Sequence, residues 1–149
     1  MNKKRDFFIS YNKDDKQQAK WIAAVLEAEG YTSYLQAWDF RAGENFILNM
    51  NNILKRSKRF IAVLSKKYLE SLYCQAEWAV AFNEDPTGKK RKFIPVRIED
   101  IKPDGLLGPI IYIDLFEADE PTAKQLLIYG VDPNDIPRKM PPFPGFSGK

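Results

Sequence analysis

The chain contains no histidine, and Cys74 is its only cysteine. The missing histidine excludes the Ser-His-Asp triad, the Cys-His pair and every histidine-based metal site. A lone cysteine excludes an internal disulfide and fits a reducing compartment. Charge of one sign is scarce too: 23 Lys and Arg against 20 Asp and Glu leave a net +3, weak grounds for a polyanionic partner. The basic run Lys89-Lys90-Arg91-Lys92 reads more simply as the solvated entry to a strand than as a nucleic-acid patch. No apolar run reaches the roughly 18 residues that signal a membrane span, and no apolar signal-peptide core follows the basic N-terminus. The expectation is a cytoplasmic protein with no membrane and no nucleic-acid partner.

What is present is enough for one folded domain. The chain has 149 residues, 44% of them hydrophobic and 13% aromatic, which argues against disorder. Apolar runs stand at 7–11, 60–64, 93–98 and 110–115, with a weaker one at 31–35. The second and fourth are apolar on both parities, the pattern of strands buried on both faces of a parallel sheet. Helical patterns fill the gaps. Asp15 with Gln18 reads as a capping box, followed by Ala19, Ile22, Val25 and Leu26 and closed by Gly30. Asn45 reads as the cap of a helix carrying Phe46, Met50, Ile53 and Leu54. The spacing predicts a third helix over 66–83, and Pro121 opens a last one through Ala123, Leu126 and Leu127. Between them, 103–109 reads as a loop.

Repeated strand-helix alternation predicts an α/β, flavodoxin-like three-layer sandwich, a central five-stranded parallel sheet with helices on both faces. Ligands in such folds collect at the carboxyl ends of the strands. The domain is expected to span 1–132. Residues 133–149 hold five of the ten prolines and read as a proline-rich linker or tail.

With histidine absent, any chemistry must be led by a carboxylate. Glu77 stands four residues after Tyr73, so on a continuous helix the two share a side. Counted from Leu69, an apolar stripe runs through Leu72, Tyr73, Ala76, Ala79 and Val80, with Glu77 at its edge. A carboxylate there can be partly desolvated and still reach a cleft. The plainer reading is a solvated helix glutamate.

Three segments, in order, resemble the Toll/interleukin-1 receptor (TIR) domain in its bacterial form. Phe7-Phe-Ile-Ser-Tyr-Asn12 with Asp14-Asp15 resembles the first TIR box. Trp38-Asp-Phe-Arg-Ala-Gly43-Glu44 resembles the loop after the second strand, with Gly43 at the family's glycine. Ser71-Leu-Tyr-Cys-Gln-Ala-Glu77-Trp78 resembles the signature that carries the family's catalytic glutamate. Tyr73 stands where the family often has Trp, and Tyr11 where several bacterial members have His. The resemblance covers about residues 5–130.

The resemblance implies cleavage of NAD at the nicotinamide-ribose bond, with NAD as substrate and no cofactor or metal. It assigns Glu77 to the ribose and places Tyr73 in the same cleft. Phe8, Ser10 and Tyr11 fall near the nicotinamide side, though Phe8 reads more simply as core than as a ligand contact. Trp38 and Arg41 fall near the adenine or a phosphate, or else Trp38 packs its own loop and Arg41 bridges a neighbouring acid. Gly43 shapes that loop. Self-association through TIR-TIR contacts, and a C-terminal sensor or oligomerising domain, are the implied partners. The alternative is a non-catalytic TIR-TIR signalling module. A Walker A loop and a G-x-G-x-x-G run are both absent.

Overall fold

A computed structural model of the chain describes residues 4–35, 42–71, 90–103 and 110–132. Strand β1 is Arg5–Ser10, followed by a 3-10 turn at Lys13–Asp15 and helix α1 at Lys16–Ala28. Then come β2 (Ser33–Leu35), α2 (Phe46–Lys55), β3 (Ser57–Leu64), α3 (Lys66–Glu70), β4 (Phe93–Arg97), β5 (Ile113–Asp114) and α4 (Glu120–Val131). The five strands form one sheet in the order β2-β1-β3-β4-β5, every pairing parallel. This is the flavodoxin-like order, and the expected α/β sandwich is the fold.

The alternation of side chains explains the three layers. Phe7 and Ile9 of β1, Ile61 and Val63 of β3, and Ile94 and Val96 of β4 point to one face. There they pack against Ala19, Ile22 and Leu26 of α1 and Leu127 and Val131 of α4. Phe8, Phe60, Ala62, Leu64 and Phe93 take the other face and pack against Ile53 of α2 and Tyr68 of α3. Both parities of β3 are buried, as its sequence predicts.

The helix ends follow capping chemistry, with two corrections. Asn45 accepts from the Leu48 N–H at 3.0 Å, and Asp119 accepts from Thr122 at 2.9 Å, as N-caps should. Gly30, at φ +94°, turns the chain out of α1 in the left-handed conformation that glycine favours. Asp15, in contrast, makes no side-chain cap to α1, so the capping box read from the sequence does not form. The third helix stops at Glu70, because Ser71 is extended at φ −80° and ψ 127°. The uninterrupted stripe counted from Leu69 to Val80 therefore does not hold through Ser71.

The rest of the 66–83 helix, the 103–109 loop beyond Pro103 and the 133–149 tail lie outside the described residues, as do the side chains of Phe46 and Met50. In α4, Ala123 and Leu127 are buried as expected, but Leu126 is 41% exposed. Among the described residues no helix is long and apolar enough to cross a membrane.

Candidate active site

The chain leaves β1 for β2 on one side and then crosses to β3 on the other, so the carboxyl ends of β1 and β3 flank the crevice where such sheets bind ligands. Ser10, at the end of β1, is paired in register with Ala62 of β3. It belongs to the same sheet face as Phe8, while Tyr11 packs with the Phe7 and Ile9 face.

Three strand ends converge on the first turn of α3. The Tyr68 hydroxyl, fully buried, donates to Ser10 Oγ at 2.9 Å. Ser65, the first residue after β3, accepts from the Tyr68 N–H at 3.1 Å and so caps α3. The same Ser65 hydroxyl donates to Oδ2 of Asp15. From the loop after β4, Glu99 Oε1 accepts from the Lys66 N–H at 2.8 Å. Lys67 Nζ pairs with Asp14 on the outside. A five-residue helix is far below the roughly 12 residues at which isolated helices become marginal, so these ties fix its position.

The two neighbouring aspartates have opposite electrostatics. Burial pushes the Asp15 carboxyl up, and the Ser65 hydroxyl, by hydrogen-bonding the charged form, works against that. Glu99 and Asp14 add like charge and push the same way as burial. Asp14 is in water, and its bond to Lys67 holds it below the usual carboxylate range. The edge thus combines one desolvated carboxylate with one solvated, paired one.

The residues expected at the site divide into three groups. Ser10 and Tyr11 stand at the carboxyl end of β1, both buried, Tyr11 at 7% exposure. Phe8 does not reach the edge: at 1% exposure it meets Phe60 edge-on, ring centroids 5.5 Å apart, inside the core. The core alternative is the one its packing matches. Gly43 is exposed at φ +90°, and a Cβ there would meet nothing within 4 Å, so conformation and not space calls for glycine. Glu77, Tyr73, Trp38 and Arg41 lie outside the described residues. Sequence reasoning missed Asp15 in its actual role, Ser65, Tyr68 and Glu99. A serine directly after an apolar run was the available signal for Ser65, since it is a natural N-cap.

Comparison with protein families decides the membership. The family model described as "TIR domain" matches residues 7–127. The chain belongs to the TIR domain family. Solved structures agree on the fold. The TIR domain of the Toll-related receptor TRR-2 from Hydra magnipapillata superposes with a TM-score of 0.71 at 18% identity, covering 84% of this chain and 95% of that one. A metazoan TIR-STING receptor from C. gigas, bound to 2',3'-cGAMP, matches at TM-score 0.71 and 23% identity, over 85% of this chain and 40% of that one. The TIR domains of the activated Roq1 resistosome match at 0.69 and 15% identity, over 86% and 99% of the two chains. A search of curated proteins finds no match.

In this TIR domain the buried edge around Ser10, Ser65 and Tyr68 offers hydroxyls and a carboxylate, with the nearby Lys67 on the exposed side and paired with Asp14. Such a wall can hold a helix and accept hydrogen bonds.

Proposed function

We propose that this TIR domain cleaves NAD between nicotinamide and ribose, releasing nicotinamide with linear or cyclic ADP-ribose. The observation that carries the reading is the position of Glu77 in Ser71-Leu-Tyr-Cys-Gln-Ala-Glu77, directly after α3. Five residues lie between Ser71 and Glu77, a reach of at most about 22 Å over six steps even fully extended. Glu77 therefore cannot lie far from the helix whose first turn is tied to the ends of β1, β3 and β4.

The chemistry asks little of a histidine-free protein. Nicotinamide departs from a pyridinium as a neutral molecule, so no general acid is needed. Positive charge develops on the ribose as an oxocarbenium-like cation, which one carboxylate beside the ring stabilises while accepting from its hydroxyls. Glu77 is the carboxylate in this reading, with Tyr73 beside it. Ser10 and Tyr11 border the nicotinamide side, and Trp38 and Arg41 on the Gly43 loop face the rest of the dinucleotide.

The test is incubation of the concentrated protein with NAD and analysis of the products by mass. Wild type should yield nicotinamide and an ADP-ribose species. Glu77→Gln keeps shape and removes charge, and should lose at least about 10²-fold in rate, the scale of deleting one key electrostatic stabiliser. Equal rates would remove Glu77 from the mechanism.

Self-association is part of the proposal. Specific activity should rise with protein concentration. Gly43→Pro should blunt that rise, because proline near φ −65° cannot follow a backbone at φ +90°. Flat specific activity across a broad dilution series would count against assembly. The second reading, a non-catalytic TIR-TIR module, is favoured by the exposed side chains of Ile111, Leu126 and Tyr129. It is the outcome if neither form makes product at any concentration.

A further inference from the structure

We infer that Asp15 is a positioning residue: through Ser65 it fixes the start of α3, and with it the point at Ser71 from which the chain leaves toward Glu77. The inference rests on the NAD-cleaving reading for its consequence in rate, but its geometry stands alone.

Asp15 occupies the N-cap place of α1, yet its carboxylate does not cap that helix. It turns instead to a hydroxyl 50 residues away in sequence. The group is buried, and burying a carboxylate is costly unless it is tied. Its partner Ser65 directly follows β3 and caps α3. A hydrogen-bonded chain thus runs from Asp15 through Ser65 to the Tyr68 N–H, and Tyr68 closes it with its bond to Ser10. The two ends of this chain, Ser10 and Asp15, flank one short stretch after β1. α3 is therefore clamped to β1's end at two points. Immediately after α3 the backbone turns extended at Ser71, whose N–H bonds to the Tyr68 carbonyl at 3.2 Å. The chain therefore departs for Glu77 from a clamped turn.

Cys74 lies three residues before Glu77 and is the only thiol, so its alkylation rate reports on that segment without reference to NAD. The experiment measures iodoacetamide labelling of Cys74 in the full chain, well below melting, beside kcat and KM for NAD. The variants are Asp15→Ala, Asp15→Asn and, as a control for global destabilisation away from this edge, Gly130→Ala. Asp15→Ala should label several-fold faster than wild type and lose on the order of tenfold or more in kcat with little change in KM, the effect of a misplaced catalytic group. Asp15→Asn retains an oxygen that can accept from Ser65, and should restore both readouts most of the way. Gly130→Ala should label at the wild-type rate.

Folded Asp15→Ala that labels like wild type overturns the inference, as does equal acceleration in Gly130→Ala. Accelerated labelling specific to Asp15→Ala, in a protein that cleaves no NAD in any form, upholds the positioning role and overturns the NAD reading separately. If Asp15→Ala does not fold, Ser65→Ala removes the hydroxyl between Asp15 and α3 and carries the same test.

Discussion

At the carboxyl edge of the sheet the start of α3 is held by oxygen acceptors, Ser65 and Glu99, with Asp15 behind them. At the amino edge the end of α4 is held by guanidinium donors. Arg59 donates to the Val131 carbonyl, and Arg91 donates to Gly130 O at 2.6 Å and Asp132 O at 2.9 Å. The arrangement follows from what helix termini lack: unpaired N–H groups at the start need acceptors, and unpaired carbonyls at the end need donors. α4 has no basic residue in its own last turn, so β3 and the approach to β4 supply the cations.

The two edges tolerate different costs. At the amino edge burial, and then the proximity of Arg91, lowers the Arg59 pKa, and Arg91 holds a left-handed backbone at φ +52°. Those costs close the domain around neutral carbonyls. At the carboxyl edge the cost is a desolvated carboxylate at the crevice between β1 and β3. One edge ties off the end of α4, and the other spends its polar groups on the start of α3.

Crossed variants give the largest test of this division. Glu77→Gln should lose at least about 10²-fold in NAD cleavage at an unchanged melting temperature. Gly130→Ala should do the reverse. A Cβ at Gly130 would stand 2.6 Å from Ile113 Cγ1 and closer still to Cδ1, so Ile113 must move. Overpacking of this kind costs about 1–3 kcal/mol, offset in part by alanine's better helix propensity, with activity per folded molecule retained. Thermal melts and single-turnover rates on both proteins check the pair. Activity lost with Gly130→Ala would mean that the edges are not separable.

A smaller test probes the carboxyl edge by pH. Arg97 grips Asp114 with two hydrogen bonds, Nε to Oδ1 at 3.0 Å and Nη2 to Oδ2 at 2.9 Å. That bond comes first in holding the Asp114 carboxyl below its usual range. A carboxyl whose pKa is lower folded than unfolded stabilises the fold above its unfolded value, and the stabilisation fades as pH falls through the folded one. Asp114 is substantially exposed, so Asp114→Asn should cost only about 0.5–1 kcal/mol at neutral pH. The gap from wild type should narrow below roughly pH 4. Melts of both forms at neutral and acid pH check it. A gap that is unchanged in acid would show that packing, not charge, is what the substitution removes.

The strands were legible because a parallel sheet buried on both faces writes itself as apolar runs. All five fell where those runs are, although β3 begins earlier, at Ser57, behind Lys58 and Arg59. Arg59 hides this start because its guanidinium lies over the Phe7 ring at 5.4 Å, a contact that no local pattern records. β5 is shorter than its apolar run because only Ile113 and Asp114 find partners on β4.

The site was legible only where a residue acts on its own neighbours. Asn45 caps its own helix and was readable as a cap. Asp15 looks like a local cap and is not one, because the fold brings Ser65 within its reach. Ser71 breaks α3 inside a pattern that still reads as helix, so the angular place of Glu77 could not be carried across it.

The smallest expected effect is at the amino edge. The described fold ends at Asp132, whose N–H bonds to Tyr129 O at 3.3 Å and whose carbonyl already sits on Arg91. A chain stopped at Asp132 replaces that carbonyl with a carboxylate at the same point. The new anion meets Arg91 and lies near Arg59, whose Nη2 is buried without a hydrogen-bond partner among the described residues. The new carboxylate gains a charge-assisted bond to Arg91, offset in part by repulsion from the negative end of the α4 dipole. The truncated protein should fold and melt within a few degrees of the full chain, since about 1 kcal/mol shifts a domain of this size by roughly 4 °C. Raising salt should lower the truncated form more than the full chain, because its new ion pair is screened. An insoluble product, or one melting far lower, would place part of 133–149 in the core and move the domain boundary beyond Asp132.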